Sequence, residues 1–290
     1  MSNSTKGLSW GVERRLQFIE FQLYWEGGIN RADITEHFGV SVPQASKDLT
    51  LYQECAPGNM NYDKSLKRYL ATGKFRPKFI IPDTDTYLSQ LRLIAERVTS
   101  AEETWVSHVP QMDCLPIPNR RVEPQVMRAL LAAIRDQRAL EIQHRSMNPN
   151  RPGPVWREIS PHAFANDGLR WHVRAYCHID GRFKDFLLSR CLDARITGPA
   201  VAFSEHDRLW NETIDIVLTP NPSLSSTQRE TIAADYSMDN HTLTLPIRKA
   251  LIFYFLKRLR IAAGEPPANP VETPIVVANL ADLDAALTQP

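Results

Sequence analysis

The apolar period of this chain changes near residue 138, and that change limits the fold more than any other feature. In the segment from about Arg121 to Gln137, Val126, Leu130 and Ile134 recur at helical spacing. Leu140, Ile142 and His144 then alternate with Glu141, Gln143 and Arg145. A period of 3.6 predicts one helix and a period of 2 predicts strands with one covered face. Further strands are expected at Val155 to Ile159, Leu169 to Ile179 and Phe183 to Leu192, the last two joined at the hairpin dipeptide Asp180-Gly181. One helix followed by several antiparallel strands reads as a small barrel or strongly curled sheet. After Asp207 the order becomes strand (Ile214 to Leu218), helix (Ser225 to Tyr236), strand (His241 to Ile247), helix (Ala250 to Ala262), then a short strand (Ile275 to Ala278) and a last helix. That is a second, smaller α+β unit. Blocks of this kind make an α+β multidomain chain, with domains expected at 1–80, 119–200 and 205–290 and a connector at 81–118.

The first block is helical. Leu16, Ile19 and Leu23 form one stripe on a helix from Glu13 to Trp25, which Gly27 and Gly28 end. Ile34 and Phe38 face inward on a short second helix closed by Gly39, and Ser41 caps a third that begins Val42, Pro43, Gln44. Helix, short glycine turn and capped helix form a helix-turn-helix. Beyond the break at Pro57-Gly58, residues 60–63 and 66–70 flank Lys64-Ser65 like a hairpin, so the whole is the sequence image of a winged helix. In that arrangement the start of the third helix enters the major groove. Gln44, Ser46 and Lys47 stand nearest base edges, Ser41, Pro43 and Tyr52 are expected as further DNA contacts on the same helix, and Lys64, Lys67 and Arg68 are placed to reach phosphates. A unit of this kind that only mediates protein contacts is the competing interpretation.

Charge supports the nucleic-acid reading once it is resolved along the chain. The 34 Lys and Arg nearly balance 33 Asp and Glu, a net charge of +1, which argues against a uniformly basic coat. Residues 1–80 nevertheless carry a surplus of three positive charges and 111–200 a surplus of five, whereas 81–110 and 201–290 are acidic. Phosphate has to be neutralised only where it is touched. Between these blocks, Asp83 to Thr86 supply cap candidates for a connector helix through about Val98. Its seam of Tyr87, Leu91, Ile94 and Val98 would either pack on a neighbouring domain or dimerise the chain.

The strand Leu169 to Ile179 carries the second candidate site. Leu169, Trp171, Val173, Ala175, Cys177 and Ile179 fall on one face and Arg170, His172, Arg174, Tyr176 and His178 on the other, a polar face without an acid. Arg145, Ser146, His162, Ser189 and Arg190 are able to converge on it. Guanidinium forks suit a phosphate, and Tyr or His can stack on a base, so the expected effector is a nucleotide or a single-stranded nucleic acid. An ordinary solvent-facing strand surface is the alternative.

The run Arg170 to Ala175 followed by Phe183 to Arg190 resembles the core of a WYL domain, with Trp171, His172 and Val173 in the Trp-Tyr-Leu positions. Together with Ser160-Pro161-His162 and Gln44 to Leu49, it resembles the WYL transcription regulators of phage-defence operons known as BrxR and CapW. The resemblance spans nearly the whole chain. It implies a winged DNA-binding head, a Sm/SH3-like β-barrel as ligand sensor with Trp171 and Ser189-Arg190 among its matching residues, a C-terminal extension that contacts the partner subunit and the sensor, and a homodimer that represses its own operon. Inverted-repeat operator DNA is the implied partner. Two of the three namesake letters differ here.

Enzymatic chemistry is thin. No P-loop, GxSxG, HExxH or GxGxxG is present, and Cys177 and His178 are neighbours on a strand whose successive side chains diverge. A nuclease or nucleotide hydrolase using the basic face lacks a general base and metal carboxylates. No cofactor or metal is expected. Cys55, Cys114, Cys177 and Cys191 are too scattered for a disulfide framework, and neither a membrane span nor a signal-peptide core is legible, so a cytoplasmic regulator is expected.

Overall fold

The computed structural model describes residues 8–147, 149, 153–261 and 269–288. Ala262, Pro266 and Pro267, part of the expected end of the C-terminal helix and the turn after it, lie outside the described residues. The chain divides into two units, Met1–Pro116 and Ile117–Pro290.

The first unit begins with α1 (Trp10–Trp25), followed by β1 (Gly28–Ile29), α2 (Arg31–Phe38), α3 (Val42–Cys55), β2 (Met60–Asp63), β3 (Arg68–Ala71) and α4 (Thr84–Ala95). Leu16, Ile19, Leu23 and Ile34 are buried as their spacing predicts, joined by Ala45, Leu49 and Tyr52 from α3. Gly39 closes α2 in the left-handed region at φ 65°, and the Ser41 hydroxyl accepts from the Gln44 N–H to start α3. The wing is a three-stranded sheet of order β1-β3-β2. Its first strand, Gly28–Ile29, is too short to leave a periodic signal. α4 starts at the expected cap, where the Asp83 carboxylate accepts from the N–H groups of Asp85 and Thr86. Its seam packs on α1: Tyr87 stacks on Trp25 at 4.6 Å between ring centroids, and Leu91 and Ile94 join Phe21 and Val106. Val98 lies beyond the helix and is exposed, so the seam is one residue shorter than its spacing suggests.

A buried carboxylate ties these parts together. Glu20 is fully buried and accepts from the Tyr52 hydroxyl at 2.8 Å and from the N–H groups of Lys78, Phe79 and Ile80. Four donors replace the water that a charged group would otherwise demand.

The second unit opens with α5 (Pro124–Arg135), β4 (Arg138–Arg145), β5 (Pro154–Asn166), β6 (Trp171–Cys177), β7 (Arg182–Leu187) and β8 (Cys191–Pro199). The five strands form one antiparallel sheet in the order β7-β6-β5-β4-β8. Its core joins Val126, Leu130 and Ala133 of α5 to Leu140, Ile142, Ile159, Val173, Ala175 and Phe186. Two strands differ from the expected pattern. β5 runs on through Pro161 because the register shifts between Pro161 and Ala163, a bulge that absorbs the missing N–H. The strand expected through Leu192 stops at Leu187, where a 3₁₀ turn, Leu188–Arg190, redirects the chain into β8 beside β4.

The C-terminal part adds α6 (Arg208–Asn211), β9 (Thr213–Pro220), α7 (Ser226–Asp235), β10 (Leu243–Arg248), α8 (Ile252–Arg258), β11 (Ile275–Val277) and α9 (Leu280–Thr288). Its sheet has the order β10-β9-β11, and Ile216, Leu218, Ile252, Ile275 and Leu283 form its core. Among the described residues, no helix is long and apolar enough to cross a membrane.

Candidate DNA-reading surface and sensor face

The start of α3 is an open surface. Ser41, Val42, Pro43 and Lys47 are exposed, and Gln44 and Ser46 are half-buried. The Ser46 hydroxyl donates to the Val42 carbonyl, so it is turned back onto its own helix. Gln44 Nε2 donates to Asp48 Oδ1 at 3.0 Å, and Asp48 is held by Arg15 of α1, Nε to Oδ2 at 2.7 Å and Nη2 to Oδ1 at 3.2 Å. Asp48 sits one helical turn after Gln44, a spacing visible in the sequence, but Arg15 is 33 residues away and no local signal points to it.

Two expected contacts are placed otherwise. Tyr52 has no exposed surface, and its hydroxyl donates to Glu20 and accepts from Asn59 Nδ2 at 3.1 Å, so it supports α3 from behind. Its position in the helix puts it on the apolar stripe with Ala45 and Leu49. Arg68 turns inward as well: Nη2 donates to the Gly28 carbonyl and Nε is buried without a partner. Lys64 and Lys67 remain exposed at the wing tip, where Asp63 Oδ1 accepts from the N–H groups of Ser65 and Leu66 and fixes the turn. Lys67 takes φ 52° there.

On the sheet, the expected acid-free face is corrected. Arg174 is buried, and its guanidinium grips Asp207, Nε to Oδ2 at 2.7 Å and Nη2 to Oδ1 at 3.1 Å, while Nη1 reaches Asp185 Oδ1 at 3.2 Å. His162 Nε2 lies 3.0 Å from the same Asp207 Oδ2. Asp185 Oδ2 accepts from the Tyr254 hydroxyl of α8, and the Tyr254 ring lies 4.9 Å from the His172 ring. The acids come from the next strand and from a segment 33 residues on, so reading β6 alone could not reveal them. Burial pushes the Asp207 carboxyl up, but hydrogen bonds from His162 and Arg174 and the Arg174 charge outweigh it and hold the group at about 2. The polar face of β6 is therefore neither bare nor solvent-facing.

The other candidate ligand residues are distributed around this network. His172 is buried under Tyr254, and burial lowers its pKa. Trp171 is 56% exposed and Arg145 is exposed at the end of β4, with Ser146 directly after it. Ser189 and Arg190 lie in the 3₁₀ turn, half-buried. Arg190 has no hydrogen-bond or ion-pair partner among the described residues, yet its charge lowers the pKa of both His144 and His172. His144 is pushed down to about 4 by burial first, then by Arg157, Arg190 and Lys184. Among the described residues, no cluster of His, Cys, Asp and Glu is able to hold a metal ion.

Comparison with known proteins identifies the three parts of the chain. Residues 11–93 match the BrxR transcriptional regulator winged helix-turn-helix domain, residues 125–196 the WYL domain, and residues 213–283 the BrxR transcriptional regulator C-terminal dimerization domain. The DNA-binding transcriptional repressor CapW of Escherichia coli (strain KTE188) is 36% identical over 98% of this chain and 94% of its own. The CapW of Stenotrophomonas maltophilia is 36% identical over 96% and 93%, and that of Pseudomonas aeruginosa 35% identical over 93% and 89%. Among solved structures, Proteasome accessory factor B/C (PafBC) of Arthrobacter aurescens matches at a TM-score of 0.29 and 16% identity, over 96% of this chain and 46% of that one, too weakly to bear on the fold. Winged head, WYL sheet and C-terminal domain thus match in chain order, and the chain belongs to the CapW and BrxR family of WYL-domain transcriptional repressors, regulators and not enzymes.

Proposed function

We propose that this chain represses transcription by binding an inverted-repeat operator as a homodimer, and that a nucleotide or single-stranded nucleic acid acting at the WYL domain controls its hold on DNA. The operon it governs is a phage-defence operon. The observation that carries the reading is the exposed, capped start of α3, with Lys47 outward and Gln44 beside it, flanked by the exposed Lys64 and Lys67 of the wing. Ser41, Pro43, Gln44, Ser46 and Lys47 lie in the major groove, and the wing lysines contact phosphate. The relatives' names and the match to a dimerization domain support the dimer and the repressor role.

The effector site centres on Ser189 and Arg190, with Trp171, His172, Arg145 and Ser146 around it. The support for this is the guanidinium of Arg190, unpaired among the described residues, together with an exposed indole, since forked donors and a stacking ring suit a phosphorylated base. Arg174 and His162, engaged with Asp207, transmit the change to the C-terminal part and do not hold the effector themselves. The reading is tested by footprinting the full chain on DNA upstream of its own gene, with and without nucleotides or single-stranded DNA. Protection of two symmetric half-sites that changes with effector supports it; no protection refutes it.

A further inference from the structure

The side chain of Gln44 is set from behind the helix, and the significance of that setting rests on the reading of Gln44 as a base contact. Asp48 is buried, and both of its oxygens accept from the Arg15 fork. A carboxylate held in this way only accepts, so the Gln44 amide must turn its Nε2 end inward to reach Oδ1 at 3.0 Å. One N–H of Nε2 is used. The other N–H and Oε1 remain, and Oε1 has no hydrogen-bond partner among the described residues. A donor beside an acceptor matches the N7 and N6 amino edge of adenine; the O6 and N7 edge of guanine presents two acceptors and mismatches it. Arg15 is mostly covered, so its charge is directed to Asp48 and not to a phosphate.

We propose that Arg15 and Asp48 are positioning residues that lock the Gln44 amide in the adenine-reading orientation and so determine specificity at one base pair of each half-site. Neither touches DNA. Asp48→Asn would let the amide turn over, because an asparagine can donate to Oε1; the two N–H groups then face outward and favour guanine.

The test is selection from a randomised duplex library with the full chain, followed by binding anisotropy on a panel that varies the selected half-site one base pair at a time. The expected result is an adenine preference at one position that Gln44→Ala erases. Asp48→Asn and Arg15→Met reduce the same preference about tenfold, with Asp48→Asn moving it toward guanine, and leave other positions and the salt dependence unchanged. Arg15→Lys, which lacks the fork, falls between. In the Gln44→Ala background, Asp48→Asn has no further effect. Equal losses in both backgrounds, or wild-type preference in Asp48→Asn and Arg15→Met, overturn the positioning role while leaving Gln44 as a reader. Thermal melting checks that each variant folds, and Arg15→Met is decisive alone if Asp48→Asn does not. A wild-type chain that selects no sequence, or a Gln44→Ala variant with every preference intact, overturns the base-reading assignment and this proposal with it.

Discussion

Arg174 on β6 closes a buried bidentate ion pair on Asp207, which stands between the sheet and α6, with contacts of 2.7 and 3.1 Å. A pair of this kind is costly to break from one side, because the remaining charge is left in the interior. Arg174→Ala or Asp207→Ala is therefore expected to lower unfolding stability by roughly 3 kcal/mol or more. Urea unfolding of the two variants and of the double variant checks this. The double variant should be less destabilised than the sum of the singles, since neither charge is then stranded. Additive losses would show that the two side chains act independently.

Stability should fall with acid in two steps. His144 has a folded pKa of about 4, below its unfolded value near 6.5, so it binds its proton more readily when unfolded. Its contribution is complete above about pH 6.5 and is lost as the pH falls toward 4, with His172, also lowered, acting in the same direction. Asp207, held at about 2, contributes above its unfolded pKa near 3.8 and loses that contribution as the pH falls from there toward 2. Chemical denaturation from pH 8 to 2 should show the first slope weaken in His144→Gln and the lower one weaken in Asp207→Ala, where Asp180 and Asp167, also lowered, keep part of it.

Glu20 serves four donors, one hydroxyl and three backbone N–H groups. Glu20→Leu leaves those donors buried without partners and is expected to cost about 3 kcal/mol or more, given ~1 kcal/mol or more for each stranded group. The loss should appear in the first unit, as faster amide exchange at residues 78–80 and in α3. Exchange unchanged at both places would show that water replaces the carboxylate.

Gly168 takes φ +90°, and a Cβ there would lie 2.5 Å from the Arg258 guanidinium of α8. Gly168→Ala should strain the backbone by about 1–3 kcal/mol and displace Arg258. The double variant Gly168→Ala/Arg258→Ala removes the obstacle but keeps the strain, and limited proteolysis of the C-terminal part should be faster in it than in Arg258→Ala alone. Equal rates would place all of the cost in the side-chain contact.

The helical head was legible in the sequence because its signals are local: a stripe at three-and-four spacing, a glycine at the end of α2, a serine cap at α3. The sheet was legible wherever alternation was clean, as at Val173, Ala175 and Cys177, all fully buried. Pro161 hid the continuation of β5, since a missing N–H reads as a strand end unless a bulge absorbs it. The polar face of β6 departs from its expected composition for a different reason. Asp185 and Asp207 neutralise Arg174 through tertiary packing, and no period or motif links the distant Asp207 to β6. Tyr52 and Arg68 illustrate the same limit on the DNA-reading side, where residue type suggested contact and packing turned both inward.

In the proposed function, α3 reads DNA through Gln44 and Lys47. The most direct test is the affinity of the full chain for a selected inverted-repeat duplex across a salt series, with Lys47→Ala and Gln44→Ala beside the wild type. Lys47→Ala should weaken binding and, if it meets phosphate, lower the salt slope by about one per subunit. Gln44→Ala should cost about 1–3 kcal/mol on the selected sequence and far less on a scrambled one. Wild-type affinity and wild-type salt slope in both variants would show that neither side chain of α3 touches DNA.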